Sequence, residues 1–445
     1  MRTPLQAARH ARGWSQPRAV WELIQLAKRK KIGVASARSL KTELSRWENG
    51  HVTPDFYQPL LCALYNSTPA ELGFGSQGLP SDYGNGGNGT GTALISRQGW
   101  TRDDLRDLSA SLDDAISRSA LSDIEMLAHE WLSADKPQLI ELDAGRHVGD
   151  SLIATIEQRV IQLRRTDDFI SGRTSHALVR EEIKATTNLL NEAALTENQA
   201  GRVLTAAGEL FQLAAWVAAD AGLYRDAARY AERGVLAAHA AGNAPLVANV
   251  ISTFSYQLAN IGNPRQAALL ARTAYAGARH ESTATTKALL LERVAWADAR
   301  SGEFASCEHT LGLVESNFSR ARPEDDPDWV YWLDREEMDV MAGRCYTELK
   351  RPDKAKPLLQ DAISGYSDAR VRENTLYLSW LAEDHVLLGE IDAASAIATQ
   401  ILELKSRANS ARTEERLRYL ASLLRGHKDI KSAAEFLDLF RGAAK

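Results

Sequence analysis

Apolar residues at helical spacing run along most of the chain, whereas the valine- and isoleucine-rich runs typical of strands are few. The clearest example lies in residues 39–50. Its side chains Leu40, Leu44 and Trp47 recur at i, i+4 and i+7, so they share one face of a helix that begins at Ser39. This pattern, repeated over 445 residues of which 44% are hydrophobic, predicts an all-α protein that is too long for a single core.

The face opposite this apolar stripe carries lysine, arginine and hydroxyl side chains. Arginine and lysine can donate to guanine edges in a DNA major groove, and hydroxyls can bond to bases or phosphates. A preceding helix that starts at Ser15 would add free N–H groups and the amide of Gln16 as a clamp on a phosphate. The predicted DNA-binding residues are Ser15, Gln16, Arg38, Ser39, Lys41, Thr42, Ser45 and Arg46.

Two segments carry a resemblance to a known family. Arg-Gly-Trp-Ser-Gln at 12–16, and Leu-Ser-Arg-Trp-Glu-Asn-Gly at 44–50 followed by Pro54, resemble the phage-repressor type (XRE-like) of helix-turn-helix. The resemblance covers residues 1–74 and implies a small five-helix DNA-binding domain. Together with the helical repeats described below, the chain is similar to the helix-turn-helix plus tetratricopeptide-repeat regulators common in actinobacteria.

The chain departs from this family between the two segments. From Gln16 to Gly33 there are 17 residues, several more than a compact helix-turn-helix uses. The extra residues include Lys-Arg-Lys-Lys at 28–31. This run is either a solvated helix end favoured by the helix dipole or an additional phosphate or minor-groove contact beside the recognition helix, and the sequence leaves both interpretations open.

Charge and composition divide the chain into parts. Residues 1–74 hold 11 Lys/Arg and 5 Asp/Glu, whereas the remainder holds 42 and 53, so a basic module precedes an acidic body. Seven glycines within residues 75–92 predict a flexible Gly/Asn-rich linker over residues 75–98. Helical patterns then predict a connecting or dimerisation segment over residues 99–200, with helices at 103–117, 122–132, 148–163 and 176–195.

A repeated landmark follows in residues 201–445. A turn residue precedes an alanine or cysteine by five positions in five clear copies, at Gly222, Gly262, Gly302, Lys350 and Gly389, spaced by 40, 40, 48 and 39 residues. Seven positions before each lies a small residue: Ala215, Ser255, Ala295, Gly343 or Ala382. Small residues allow two helices to touch, so the pattern predicts an α-solenoid of tetratricopeptide-like helical hairpins.

In tetratricopeptide geometry the first helix of each hairpin lines a concave groove. Aromatic residues occupy the position after the small residue in three successive hairpins. The predicted groove residues are Gln212, Trp216, Asn249, Ser252, Tyr256, Glu292, Trp296 and Arg300. Such a surface suits a peptide or small-molecule effector, although the aromatics could instead merely pack between adjacent hairpins. Trp329, Tyr331 and Trp332 could form one wall of the groove or lie in the core.

Motifs for other functions are missing from the sequence. There is no GxSxG or HExxH, and the glycine-rich stretch at 75–92 lacks a following GK[ST], so we expect no enzyme and no cofactor. Cys62, Cys307 and Cys345 are widely spaced and favour buried thiols in a reducing cytoplasm over a metal site. No apolar run approaches the length of a membrane span.

The sequence is therefore interpreted as a cytoplasmic, sequence-specific regulator of transcription. A homodimer would bind double-stranded DNA at an inverted-repeat operator, because a single module makes few phosphate contacts. Two alternatives stay open. The repeats could form a protein–protein interaction scaffold beside a non-specific nucleic-acid-binding module, or the chain could be an enzyme whose site no motif reveals.

Overall fold

The structure is a computed structural model, and helices make up nearly all of the part that it describes. The predicted all-α class is confirmed at this level. Two pairs of two-residue parallel strands are the exceptions, β1 (Gly99–Trp100) with β2 (Gln138–Leu139) and β3 (Arg146–His147) with β4 (Ala193–Ala194). The described residues are 3–29, 37–49, 57–65, 67, 72, 99–100, 120–132, 138–139, 146–168, 172–365, 371–408 and 411–443.

The chain divides into two compact units, Met1–Thr92 and Ala93–Lys445. In the first unit the described helices are α1 (Pro4–Ala11), α2 (Gln16–Arg29), α3 (Ala37–Glu48) and α4 (Gln58–Tyr65). The predicted linker at 75–98 and the predicted last helix of this unit, after Thr68, lie outside the described part, as do Lys30 and Lys31 of the basic run.

The core of the first unit follows the apolar pattern of the sequence. Leu40, Leu44 and Trp47 of α3 are buried, as the i, i+4, i+7 spacing predicts, and they pack with buried leucines of α1, α2 and α4. The predicted start at Ser39 is wrong, because α3 begins at Ala37 and Ser39 lies in its first turn. A glycine with a backbone φ of +67°, Gly13, terminates α1, where a left-handed residue is needed.

In the second unit fifteen described helices follow one another. They are α5 (Ala120–Trp131), α6 (Asp150–Asp167), α7 (Gly172–Glu192), α8 (Glu197–Asp220), α9 (Tyr224–Ala240), α10 (Ala244–Asn260), α11 (Pro264–Ala278), α12 (Ala284–Arg300), α13 (Phe304–Phe318), α14 (Arg335–Glu348), α15 (Pro352–Gly365), α16 (Val371–Leu387), α17 (Ile391–Ala408), α18 (Ala411–Leu424) and α19 (Lys431–Ala443). The predicted helix at 103–117 lies outside the described part, and the helix predicted to reach Leu195 ends at Glu192, where β4 follows.

From α8 onward the helices pack in consecutive pairs. Each even-numbered helix from α8 to α16 contacts the next odd-numbered one and also the next even-numbered helix, so the row α8, α10, α12, α14, α16 and α18 is continuous. The buried residues of this row and of its odd-numbered partners form one large apolar cluster, with a second cluster around α17 to α19. The row therefore brings side chains that are distant in sequence onto one surface.

The repeated landmark marks the turns within these pairs. Gly222, Gly262, Gly302 and Gly389 have φ values between +75° and +101°, a conformation that glycine adopts without steric cost. Lys350, which takes the glycine position in the remaining copy, has a φ of 58° and is the one non-glycine residue with positive φ among the described residues. The turn geometry is thus conserved within the chain even where the residue type changes.

The small residues before these turns lie where two helices approach closely. A Cβ added at Gly343 would come within 2.7 Å of Cγ of Leu359 on the neighbouring α15, which no real contact allows. Ala215, Ser255, Ala295 and Ala382 are each fully buried. Among the described helices, none is both long and apolar enough to cross a membrane.

Candidate functional site

The first candidate site is the exposed face of α3. Lys41 and Arg46 are exposed and Ser45 is partly exposed, on the side of the helix that is opposite Leu40, Leu44 and Trp47. Their burial pattern follows from the helical period, since a stripe of three apolar residues leaves the remaining positions facing outward. The side chains of the other predicted residues on α3, Arg38, Ser39 and Thr42, lie outside the described part.

A buried carboxylate fixes the end of this helix. Glu48 is fully buried and accepts hydrogen bonds from the guanidinium of Arg9, at 2.5 Å from Nε and 2.9 Å from the terminal nitrogen. Arg9 also donates to the carbonyl of Trp14 at 2.7 Å. The hydrogen bond to Glu48 raises the pKa of Arg9. Because both partners are buried and bidentate, the pair locks α3 against α1.

The start of α2 is linked to the same carboxylate. The side-chain amide of Gln16 donates to Glu48 at 2.9 Å, so Gln16 joins α2 to α3. Ser15 is exposed, and its hydroxyl accepts a 3.4 Å bond from the backbone N–H of Arg18, which is N-cap geometry. The two residues that the sequence predicts as a phosphate clamp therefore already hold the helix start in place.

The second candidate site is a cavity of about 140 Å³ in the second unit. The row of even-numbered helices forms much of its wall, together with the end of α6 and the segment 329–332. Its lining residues are Arg164, Asp167, Asp168, Gln212, Leu213, Trp216, Asn249, Thr253, Tyr256, Arg293, Trp329, Tyr331, Trp332, Glu337, Met341, Arg344, Arg372, Glu373, Leu376, Tyr377 and Arg412.

Aromatic rings run along one side of this cavity. The rings of Trp216 and Tyr256 stack at 6.0 Å between centroids with an interplanar angle of 30°, and the ring of Trp296 follows Tyr256 at 6.4 Å. The three residues come from α8, α10 and α12, because each occupies the position after the small residue of its helix. The three rings form an aromatic ladder, of which Trp216 and Tyr256 line the cavity.

Two buried arginines lie against this ladder. The guanidinium carbon of Arg293 is 4.6 Å from the ring centroid of Tyr256, and that of Arg344 is 5.5 Å from the same centroid. Arg344 also donates to the phenol oxygen of Tyr256 at 2.9 Å. Burial alone would raise the pKa of Tyr256, but the charges of Arg344, Arg412 and Arg293 outweigh it and lower the pKa to about 8.

The other three arginines of the cavity are paired with carboxylates. Arg372 lies 3.4 Å from both Asp167 and Asp220, and Arg412 lies 2.7 Å from Asp220. Arg164 pairs with Glu209 at 2.9 Å. These bonds join α6, α8, α16 and α18, so this half of the cavity is a compensated charge network that connects helices far apart in sequence.

Arg293 and Arg344 have no such compensation. Among the described residues no carboxylate lies within ion-pair distance of either guanidinium, although Arg293 is only 6% exposed and Arg344 only 5%. The Nε atoms of both are buried without a hydrogen-bond partner. The neighbouring Glu292 does not balance them, because burial raises the pKa of its carboxyl to about 8 and keeps it largely protonated at neutral pH.

The predicted groove residues divide into two groups. Gln212, Trp216, Asn249 and Tyr256 line the cavity. Ser252, Glu292, Trp296 and Arg300 are not among its lining residues. Trp296 is covered by the guanidinium of Arg344 at 4.5 Å and donates to Asn260, and Arg300 reaches away to the carbonyl of Ala259 and to Glu348. Trp329, Tyr331 and Trp332 all line the cavity.

The five arginines of the cavity were not predicted from the sequence. A signal for one of them exists: Arg344 follows the small residue Gly343, so it occupies the position that Trp216, Tyr256 and Trp296 hold in the earlier copies. Arg293 lies one helical turn before Trp296 on α12. The remaining arginines come from outside the aligned positions, and only the packing of α6, α16 and α18 brings them to the cavity.

No group of three or more histidine, cysteine, aspartate or glutamate side chains with metal-binding geometry occurs within the described residues. Cys307 and Cys345 are buried free thiols, and burial raises the pKa of Cys345 well above its ordinary value. The chain matches no protein-family model and no curated protein.

Proposed function

We propose that the protein is a sequence-specific DNA-binding regulator of transcription. In this proposal the first unit is a helix-turn-helix domain, and the second is a tetratricopeptide-like array that dimerises and binds a small effector. The observation that carries the proposal is the exposed face of α3, where Lys41 and Arg46 stand opposite the buried stripe of Leu40, Leu44 and Trp47. A helix with this polarity can enter a major groove with two long cationic side chains.

The anchoring of α3 supports the same function. A recognition helix must keep its position on the domain while its exposed side chains bond to bases, because loose geometry costs affinity. Glu48 provides this anchor, since it bonds to Arg9 of α1 and to Gln16 of α2. We expect that the backbone at the start of α2 contacts a phosphate and that Ser15 and Gln16 orient it.

The dimer and the effector belong to the same proposal. A single α3 offers few contacts, so two copies on an inverted repeat would supply the specificity that an operator requires. The helical pairs of the second unit, with their landmark turns at a period near 40 residues, support the tetratricopeptide-like interpretation. The cavity between the helices of the row is the proposed effector site.

The test is selection from a random duplex library by the full-length protein. Lys41→Ala/Arg46→Ala removes both cationic side chains without touching the buried stripe. Lys431→Ala/Arg441→Ala is the matched control, because it removes the same two residue types from exposed positions on α19. We expect the wild type and the control to enrich an inverted repeat.

On that repeat the α3 variant should lose roughly 1–3 kcal/mol of binding free energy for each side chain that reads a base. Equal enrichment by the folded α3 variant and the wild type would contradict the proposal. The half-site spacing that emerges would report the distance between the two recognition helices of the dimer.

A further inference from the structure

We infer that the cavity binds a small planar carboxylate, a single ring whose carboxylate accepts hydrogen bonds from the guanidinium groups of Arg293 and Arg344. The inference rests on the proposed function, in which this cavity is the effector site, and it specifies the chemical class of the effector. Its elements are two buried cations that have no carboxylate within ion-pair distance among the described residues, an aromatic lining and a volume that limits the size of the ligand.

The charge of the cavity points to an anion. A buried charge is stable when a counter-charge and hydrogen bonds replace the water it has lost. Arg164, Arg372 and Arg412 have carboxylate counter-charges within the chain, whereas Arg293 and Arg344 have none within ion-pair distance among the described residues. The guanidinium carbons of Arg293 and Arg344 both lie within 5.5 Å of the Tyr256 ring centroid. A carboxylate in the cavity would accept hydrogen bonds from the terminal guanidinium nitrogens of Arg293 and Arg344.

The acidic side chains nearby do not occupy the position of a ligand carboxylate between Arg293 and Arg344. Glu292 is buried, and since burial raises its pKa to about 8, it carries little negative charge at neutral pH. Glu337 lines the cavity, but both of its oxygens accept bonds from the hydroxyl of Tyr377, at 2.8 and 2.7 Å. Neither carboxyl forms an ion pair with Arg293 or Arg344, although both raise the pKa of Arg293. An anionic ligand would therefore not be displaced by a group of the protein.

The shape of the cavity indicates a ring. Trp216, Tyr256, Trp329 and Trp332 all line it. Aromatic faces favour a flat partner in offset-stacked or edge-to-face contact. The volume of about 140 Å³ is close to the roughly 150 Å³ of an apolar cavity that accommodates benzene, so one ring fits and an extended peptide does not.

A polar group could read a substituent on the ring. Asn249 is 4% exposed and lines the cavity, and its side-chain amide has no hydrogen-bond partner among the described residues. Gln212, by contrast, donates to Thr253 at 2.9 Å. We expect the amide of Asn249 to bond to a hydroxyl or amino group on the ring. Aromatic carboxylates that carry such a group should therefore bind more tightly than those that lack it.

The test uses benzoate as the probe, with titration calorimetry on the full-length protein. Benzamide is the neutral comparator of the same shape, cyclohexanecarboxylate has the same charge without the planar ring, and inorganic phosphate is a compact anion. We expect benzoate to bind roughly tenfold or more tightly than benzamide, because a charge-assisted hydrogen bond is stronger than a neutral one. Cyclohexanecarboxylate and phosphate should also bind more weakly than benzoate.

Variants locate the binding. Arg293→Met and Arg344→Met should each remove the preference for benzoate over benzamide. Arg335→Met is the control, because this arginine lies on the same helix as Arg344 but is half exposed and pairs with Glu315 on the surface. It should bind benzoate like the wild type. Circular dichroism establishes that each variant is folded.

Three results would overturn the inference: equal affinity of the wild type for benzoate and benzamide, tighter binding of phosphate than of benzoate, or unchanged benzoate affinity in both folded cavity variants. The first two comparisons use the wild type alone, so they test the inference even if a variant does not fold. Calorimetry involves no DNA. If the protein selects an operator but does not bind benzoate, only the inference about the cavity is contradicted. If it binds benzoate but selects no operator, only the proposed function is contradicted.

Discussion

Each unit of the molecule buries an arginine to nearly the same degree, but the two arginines differ in their hydrogen-bond and ion-pair partners. Arg9 of the first unit is 7% exposed and Arg293 of the second is 6% exposed. Arg9 is bonded by two nitrogens to Glu48 and by a third contact to the carbonyl of Trp14. Arg293 lies against the rings of Tyr256 and Trp332 and has no carboxylate within ion-pair distance among the described residues.

The difference separates a structural charge from a charge that is available for a ligand. A bonded, bidentate arginine ties two helices together and has little left to offer a ligand. An arginine that is equally buried but lacks a counter-ion lowers the stability of the fold and is retained for another reason, often a binding site. Burial disfavours the charged form of Arg293 and lowers its pKa, and the nearby Glu292, Tyr256 and Glu337 offset only part of this effect.

The largest effect is expected when the compensated pair of the first unit is broken. Glu48→Ala leaves the guanidinium of Arg9 buried without a counter-charge and frees Gln16, so it should destabilise the first unit by about 3–5 kcal/mol. Amide hydrogen exchange in the full-length protein measures this locally, as a loss of protection in α1 and α3.

A matched control exists on α2. Glu22 pairs with Arg18 at 2.6 Å, but that arginine is more than half exposed and solvent screens the interaction. Glu22→Ala should therefore change protection by less than about 1 kcal/mol. Similar losses of protection in the two variants would mean that Glu48 is not the anchor of α3.

Within the second unit the comparison becomes a direct contrast between two arginines of one cavity. Arg372→Met leaves Asp167 without its partner, although Asp220 keeps Arg412, so we expect a loss of about 3 kcal/mol in the free energy of unfolding. Arg293→Met replaces an uncompensated charge by an apolar side chain, and its stability should be unchanged or higher.

Urea denaturation of the full-length variants, followed by far-ultraviolet circular dichroism, provides both values. The contrast fails if Arg293→Met destabilises the protein as much as Arg372→Met does. Arg293 would then be a structural cation like Arg9, and the argument for an anionic ligand would lose its basis.

This contrast also shows what the sequence can and cannot predict. The burial of Leu40, Leu44 and Trp47 and the turns at Gly222, Gly262, Gly302 and Gly389 depend on local periodicity and local backbone geometry, so the sequence alone indicates them. The aromatic positions Trp216 and Tyr256 follow from the repeat register in the same way.

Charge compensation is a long-range property. Arg344 bonds to Tyr256 from 88 residues away, and Arg372 meets Asp167 across 205 residues. Nothing in the neighbourhood of an arginine in the sequence indicates whether a carboxylate will lie beside it after packing. The start of α3 shows a smaller limit, because a good capping residue such as Ser39 can lie inside a helix that begins two residues earlier.

The smallest expected effect, taken per pH unit, concerns the pH dependence of stability near Arg293. Burial raises the pKa of Glu292 from 4.5 to about 8, while Arg293 and Arg344 lower it and Glu337 raises it. Between these two pH values the unfolded chain loses the proton and the folded chain keeps it. The folded state therefore binds more protons, and this contribution to stability is complete below pH 4.5 and decreases as the pH rises to about 8.

Glu292→Gln removes this titration, so its stability should fall less steeply with pH than that of the wild type, by at most about 1.4 kcal/mol per pH unit. Asp384, whose pKa burial raises to about 7, contributes equally to both proteins and cancels in the difference. Urea denaturation across the same pH range measures this difference in pH dependence. Glu435→Gln, at an exposed position, is the control. Identical pH profiles for Glu292→Gln and the wild type would mean that Glu292 is ionised in the folded protein. The carboxylate of Glu292 would then neutralise Arg293. Arg9 and Arg293 would in that case differ less in charge compensation than their hydrogen bonds indicate.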